Sequence, residues 1–296
     1  MKIGVQLPEV ERPVRWSEVR DIALTVEDCG FDSIWVGDHL LYRDESGTTK
    51  GPWEAWTSLA ALAEATSTVR IAPLVAATSF HNPAMIAKFA ATIDEISEGR
   101  LILGLGAGWN RTEYDAFSFP YDHRVSRFEE AFTIITTLIR EGAIDFEGRY
   151  YTHRGMELLP PARSDMSILI GSNGPRMLRI ALRHADMWNS WFEWFGNRAS
   201  GLAPLQEEVD QACVDVGRDP GEIERTAAVY VQLAGGRGRE AGDLERGVAS
   251  PITGTAEEIA AELGSFDAAG ISHLQIVLDP IDVNGVEELA EIVEMI

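Results

Sequence analysis

The sequence predicts an α/β chain folded as a (β/α)8 TIM barrel, with short insertions after the fourth and seventh strands. About eight short apolar runs alternate with segments of helical periodicity, the count that such a barrel needs. The runs are spread evenly over 296 residues, with no composition break, linker, low-complexity tract or internal repeat. Doubly wound sheets share the alternation. The even spread favours the barrel, as a single domain over 1–296. One unit shows the pattern in full. Asn82 can cap a helix, Pro83 suits its first position, and Met85 to Ile96 carries apolar residues at helical spacing. Ser97-Glu98-Gly99 stops that helix, and the apolar run Leu101 to Ala107 follows as a buried strand.

In chain order, residues 2–7 read as a strand ended by Pro8. Trp16 to Cys29 is an amphipathic helix closed by Gly30. Residues 33–38 form the second strand, 39–52 a polar loop, and Trp53 to Ala65 the second helix. Strand 71–77, helix 83–97 and strand 101–107 come next. Residues 109–123 form a longer connection in which no helix start is expected. Ser126 to Arg140 is a well-patterned helix, and 145–151 belongs to a small hairpin or extended excursion before Pro160-Pro161. Strand 168–171, a helix from Gly174-Pro175 to about His184, strand 185–190 and an aromatic loop follow. The remainder reads as helix 200–216, strand 224–233, a glycine- and charge-rich stretch 234–252 expected to be mobile, helix 256–269, strand 273–278 and helix 284–296.

Composition bounds the partners. The chain has 25 basic and 47 acidic residues, a net charge of -22. Such a field repels nucleic acid and anionic membrane surfaces and suits an enzyme of small molecules. The apolar runs are too short or too glycine-rich to span a bilayer, and the N-terminus lacks the parts of a signal peptide. Only Cys29 and Cys213 are present, both in predicted helices, so free thiols are expected. A cytoplasmic enzyme is the expectation.

In a barrel of this class, chemistry sits at the C-terminal ends of the strands. Those ends carry Gln6, Asp38 and His39, Ala76 to Thr78, Gly106 to Trp109, Ser172 to Gly174, Asn189 to Trp191, Gln232 and Asp279. The set is small, neutral and aromatic, with no carboxylate cluster, metal spacing or nucleophile elbow. It suits a large flat cofactor better than hydrolysis. Glycines 104, 106 and 108 permit close approach by a flat ligand or another backbone. The Gly104-x-Gly106 pair is only a weak dinucleotide signal, because Arg111 fills a candidate third position. His39 can donate a proton or a hydrogen bond, and Asp38 can bind a cofactor hydroxyl. Gly171-Ser172-Asn173-Gly174-Pro175-Arg176 joins strand to helix and can present amides to a phosphate. Arg176, Arg179 and Arg183 are spaced to share a face behind it. Trp188, Trp191, Phe192, Trp194 and Phe195 crowd one strand end, either as a substrate wall or as packing or subunit contact.

At these residues the chain resembles the bacterial luciferase-like oxidoreductase superfamily. The resemblance rests on Gly30 to His39, Asn82 to Asp94, Ser97 to Arg100, Leu103 to Trp109, Ile170 to Arg176 and Ala185 to Asn189, and covers about residues 2–195. It implies a (β/α)8 barrel, usually dimeric, that binds FMN or the deazaflavin coenzyme F420. Gly-Ala-Gly-Trp together with Asn-Gly-Pro-Arg is closer to the F420 branch. By that resemblance His39 faces substrate and is the catalytic residue. Asp38, Leu74, Val75, Ala76, Thr78, Gly106, Ala107, Gly108, Ser172, Asn173, Gly174, Pro175 and Arg176 hold the cofactor, with a non-prolyl cis peptide near Pro73-Leu74-Val75. Trp109, Trp188 and Trp191 wall the substrate pocket, and no metal is implied. Sugar-phosphate dehydrogenases of that branch carry a glutamate where this chain has Trp109, which argues against such a substrate. The implied activity is hydride transfer between F420 and a small organic substrate. An FMN-dependent monooxygenase fed by a separate reductase and a non-catalytic flavin-binding barrel stand as the alternatives.

Overall fold

The computed structural model describes residues 1–43, 47–238 and 249–296. Along the chain these are β1 (Lys2–Gln6), α1 (Trp16–Asp28), β2 (Ser33–Val36), β3 (Tyr42–Arg43), β4 (Thr49–Lys50), α2 (Ala55–Ala65), β5 (Arg70–Pro73), β6 (Ala76–Ala77) and α3 (Pro83–Ile96). β7 (Ile102–Gly106), α4 (Arg111–Phe117), α5 (Arg124–Glu141), β8 (Ala143–Glu147), β9 (Thr152–Glu157), β10 (Ser167–Gly171), α6 (Pro175–Ala181) and β11 (Met187–Trp191) follow. The chain ends with α7 (Ala203–Asp215), β12 (Glu224–Gln232), α8 (Ala256–Ala268), β13 (His273–Asp279) and α9 (Val283–Val293).

The main sheet runs β5-β2-β1-β13-β12-β11-β10-β7-β6, every pairing parallel. Its nine strands make eight staves, because β5 and β6 are two halves of one. The break falls at Leu74–Val75, a cis peptide outside proline, as expected. β5 pairs with β2 and β6 with β7, and Ile71 bridges to Leu101, so the sheet closes on itself. This is the predicted TIM barrel.

Two cores follow from the strand alternation. Inside the barrel lie Trp35, Ala72, Leu74, Ile102, Leu169, Met187 and Ala228, with Val75 and Trp191 partly buried against them. The larger core fills the space between strands and helices. One polar chain crosses the barrel: Trp35 Nε1 donates to Ser33 Oγ at 2.7 Å, and Ser33 Oγ lies 2.8 Å from His273 Nε2. Burial pushes His273 down to about 3, so this imidazole is neutral.

The glycines of the fourth and fifth staves, β7 and β10, have a packing function. A Cβ on Gly104 would stand 2.2 Å from the Pro73 carbonyl oxygen. Cβ atoms on Gly106 and Gly171 would meet the Val75 side chain at 2.8 and 2.9 Å. What approaches them closely is the third stave, bent at its break.

Several elements differ from the expectation. The loop 39–52 contains the β3–β4 hairpin. The second helix starts at Ala55, because Glu54 caps it by accepting from Trp56 N and Thr57 N at 2.9 and 2.7 Å. A helix, α4, occupies the connection 109–123, capped by Asn110. The excursion after α5 is a full antiparallel hairpin, β8–β9. α6 ends at Ala181, which leaves Arg183 outside it. Of the stretch expected to be mobile, 239–248 lie outside the described residues. Its start is held by Asp279, whose Oδ2 accepts from Gly238 N at 2.7 Å and from Gln232 Nε2 at 2.9 Å. Among the described residues no helix is long and apolar enough to cross a membrane.

Candidate active site

The ends of β1, β2, β6 and β7 converge on one side of the barrel mouth. Asp38, just after β2, is buried, and its Oδ2 accepts from Ala77 N at 2.7 Å. Burial pushes its carboxyl up to about 7, against that hydrogen bond and the neighbouring His39. Thr78 follows β6, buried, with its Oγ without a partner. Ser79 Oγ and Tyr114 Oη both donate to the Ala107 carbonyl, at 3.1 and 2.8 Å. Gly108 takes φ +74°, and a Cβ there would lie 2.2 Å from the Tyr114 hydroxyl. α4 therefore packs down on the turn after β7 through Tyr114, which is fully buried.

His39 sits between two carboxylates. Its Nδ1 lies 3.0 and 3.2 Å from the two oxygens of Glu113, on α4. Its Nε2 is 4.0 Å from Glu9 Oε1. Glu113 is 1% exposed and also accepts from Leu40 N at 2.5 Å and Leu41 N at 3.3 Å. Glu9 is buried and accepts from Gln6 Nε2 at 3.0 Å and Tyr42 Oη at 2.9 Å. Burial opposes charge on the imidazole, yet the Glu113 hydrogen bond and the charges of Glu9, Glu113 and Asp38 outweigh it. The His39 pKa is raised. Tyr42 and Trp109 flank the ring, with centroids 4.7 and 5.5 Å away. Trp109 is 40% exposed and forms the outer lip.

The carboxylates correct the expectation of a neutral site. Glu9, Asp38 and Glu113 surround His39, although among the described residues no group is arranged to hold a metal. Glu9 and Glu113 lie off the strand ends, which hid them. Asn110-Arg111-Thr112-Glu113 has the spacing of a capping box and carried a helix signal. Asn110 does cap, accepting from Thr112 N at 3.2 Å, while Glu113 turns away toward His39.

The other expected residues divide. Asp38, His39, Thr78, Ala107, Gly108 and Trp109 come together. Leu74, Val75 and Ala76 run along the same stave, Leu74 and Val75 into the barrel interior. Gly106 faces Val75. Ser172, Asn173, Gly174 and Pro175 form the turn after β10, and Gly174 starts α6 without a side-chain cap. Two tryptophans part ways. Trp191 stands partly buried above the barrel interior. Trp188 is fully buried and donates from Nε1 to the Ser172 carbonyl at 2.8 Å, so it fixes that turn and walls no open pocket. Arg176 pairs with Glu129 at 2.8 Å and faces a groove of about 370 Å³ with Ser126, Arg149 and Tyr150. Arg179 turns to Asp215 of α7 at 3.9 Å. The shared arginine face does not form, because Arg176 and Arg179 each meet an acid of a different neighbouring helix and Arg183 Nε donates to the Arg179 carbonyl at 3.3 Å.

A barrel with a histidine–carboxylate cluster at the strand ends is the frame of a TIM-barrel enzyme. The chain belongs to the luciferase-like monooxygenase family, whose model matches residues 1–241. It is 33% identical over 243 residues to a phthiodiolone/phenolphthiodiolone dimycocerosates ketoreductase of Mycobacterium bovis, covering 75% of this chain and 62% of that protein. It is 33% identical over 172 residues to an F420-dependent glucose-6-phosphate dehydrogenase of Amycolatopsis mediterranei, covering 56% of this chain and 50% of that one. The chain thus spans between half and two thirds of the length of these relatives. Among solved structures, an F420-dependent secondary alcohol dehydrogenase in complex with an F420-acetone adduct superposes with a TM-score of 0.80 at 21% identity, over 99% of this chain and 98% of the other. That likeness concerns the fold. Family and relatives place this chain among the luciferase-like proteins.

Proposed function

We propose that this oxidoreductase transfers hydride between coenzyme F420 and a small organic substrate at a carbonyl or carbinol carbon, with His39 handling the proton. The observation that carries the reading is His39 itself, half-buried at the barrel mouth with Glu113 on one nitrogen and Glu9 near the other. The names of the relatives support F420, and a ketoreductase and an alcohol dehydrogenase stand among the similar proteins.

The residues fit a polar, flat cofactor. Thr78 Oγ and Gln6 Oε1 are buried and unpartnered, and such atoms are costly unless a ligand meets them. A Cβ on Gly174 would touch only Met177, at 4.0 Å, so the turn after β10 is open. Asp38, Thr78, Ala107, Gly108 and the turn 172–175 would hold the cofactor. When bound, F420 supplies or takes the hydride.

The chain's own part is acid–base work and exclusion of water. In reduction, the carbonyl carbon gains a hydride and its oxygen takes one proton from the His39 imidazolium. In oxidation, neutral His39 takes the hydroxyl proton as the hydride leaves. The charges of Glu9 and Glu113 favour the imidazolium, so reduction is the better matched direction near neutral pH. Trp109 and Tyr42 give the substrate an apolar seat beside the ring, and Trp109 supplies no acid for a sugar phosphate.

The test is oxidation of reduced F420, followed by absorbance, against a panel of ketones and aldehydes. Turnover that His39→Ala cuts by about 10²-fold or more is expected. No turnover with any carbonyl or alcohol overturns the reading. The family's monooxygenase description favours one second reading, in which reduced FMN from a separate reductase activates O2. Oxygenation of an organic substrate that requires reduced FMN, O2 and the protein together would establish it.

A further inference from the structure

We infer that Glu113 is the positioning residue of His39: it fixes the imidazole's orientation, places the ring proton on Nδ1 and ties α4 to the loop after β2. The inference rests on the reading of His39 as the proton-handling group. Three independent contacts carry it. The carboxylate spans Nδ1 with both oxygens, at 3.0 and 3.2 Å. One of those oxygens also accepts from Leu40 N, and more weakly from Leu41 N. Asn110, three residues earlier, donates from Nδ2 to the Leu41 carbonyl at 3.1 Å. One turn of α4 therefore grips residues 39–41 from both polar sides of the backbone.

The chemistry follows from the geometry. A carboxylate accepts only, so Nδ1 must donate. With Nδ1 protonated, the neutral ring presents a bare Nε2 and the charged ring presents Nε2–H. Nε2 is therefore the atom that exchanges protons with substrate. The groups facing the imidazole are Glu113 from α4, Glu9 from the segment after β1, Tyr42 from β3, and Asp38 from just after β2. Glu9 stands 4.0 Å from Nε2, beyond hydrogen-bond reach, and has Gln6 and Tyr42 as donors of its own. Glu113 alone among them touches a ring nitrogen. A pair of this kind holds tautomer and orientation, and its carboxylate stabilises the imidazolium without taking the proton.

The test compares wild type, Glu113→Gln and Glu113→Asp by NMR of histidine-labelled protein, with His39→Ala to assign the signal. In the wild type, His39 should titrate above the ordinary histidine range, and its neutral form should carry the proton on Nδ1. In Glu113→Gln the midpoint should fall by about one unit or more. The alkaline limb of kcat for carbonyl reduction should move down with it, with KM nearly unchanged and kcat reduced about tenfold or more. Glu113→Asp should recover part of both. A wild-type His39 that titrates at or below the ordinary range, or that carries its proton on Nε2, overturns the inference without any variant. So does a midpoint indifferent to Glu113→Gln. The titration needs no turnover. If wild type lacks F420 activity but His39 still responds to Glu113, the functional reading falls and the coupling stands. If turnover is present and His39 is indifferent, the reverse holds.

Discussion

At His39 the two ring nitrogens meet unlike surroundings: Nδ1 touches Glu113, whereas Nε2 stands 4.0 Å from Glu9. The proposed division of labour makes His39→Ala a defect of turnover more than of binding. A positioned acid or base contributes on the order of 10²–10⁴ in rate. Steady-state kinetics beside a cofactor titration should show that loss with little change in affinity. An equal loss of both would reduce His39 to a binding residue. Asp38 offers a separate check, in stability. Its carboxyl is pushed up to about 7. Below the ordinary carboxyl value both folded and unfolded chains hold the proton, and its contribution is fully present. As pH rises through the folded value the unfolded chain is ionised first, and the contribution is lost. Asp38→Asn cannot ionise and can still accept from Ala77 N. Denaturation from about pH 4 to about pH 8 should therefore find the variant gaining on wild type, by on the order of a few kcal/mol at most. A constant difference would show that Asp38 is ionised in the fold.

Among the elements, the third and fourth staves and α4 set the shape of the site. Gly104 and Gly108 face rigid neighbours, the Pro73 carbonyl and the Tyr114 hydroxyl, both 2.2 Å from a would-be Cβ. Gly108 also needs its positive φ. Gly104→Ala and Gly108→Ala should each cost about 1–3 kcal/mol in urea unfolding. Gly174→Ala, with open space around it, should stay within about 0.5 kcal/mol. Equal costs at the three positions would refute this account of the glycines. The barrel staves and most helices were legible because their apolar spacing and caps are local, as at Asn82-Pro83. His39 and Asp38 were legible because strand ends can be read from the chain. Glu9 and Glu113 were not, since each acquires its meaning only when β1, β2 and β7 lie side by side. Trp188 was misplaced for the same reason. An aromatic at a strand end reads alike whether it faces the mouth or the helical layer, and the structure puts it in that layer.

Across the whole molecule, a net charge of -22 meets a site that draws acidic side chains inward around one imidazole. Two arginines of α6 are spent on local pairs, Arg176 with Glu129 and Arg179 with Asp215. Exposed pairs of this kind are weak and salt-sensitive. An anionic cofactor must therefore bind through groups fixed in the fold, such as Asp38, Thr78 and the turn after β10, more than through a surface patch. Salt should consequently change cofactor affinity by less than about tenfold between about 0.05 and 0.5 M. The measurement that tests the central claim most directly is a parallel titration of the protein with F420 and FMN, read by fluorescence. Saturable binding of F420, tighter than that of FMN, is the predicted result. Tight FMN binding with no measurable affinity for F420 would contradict it.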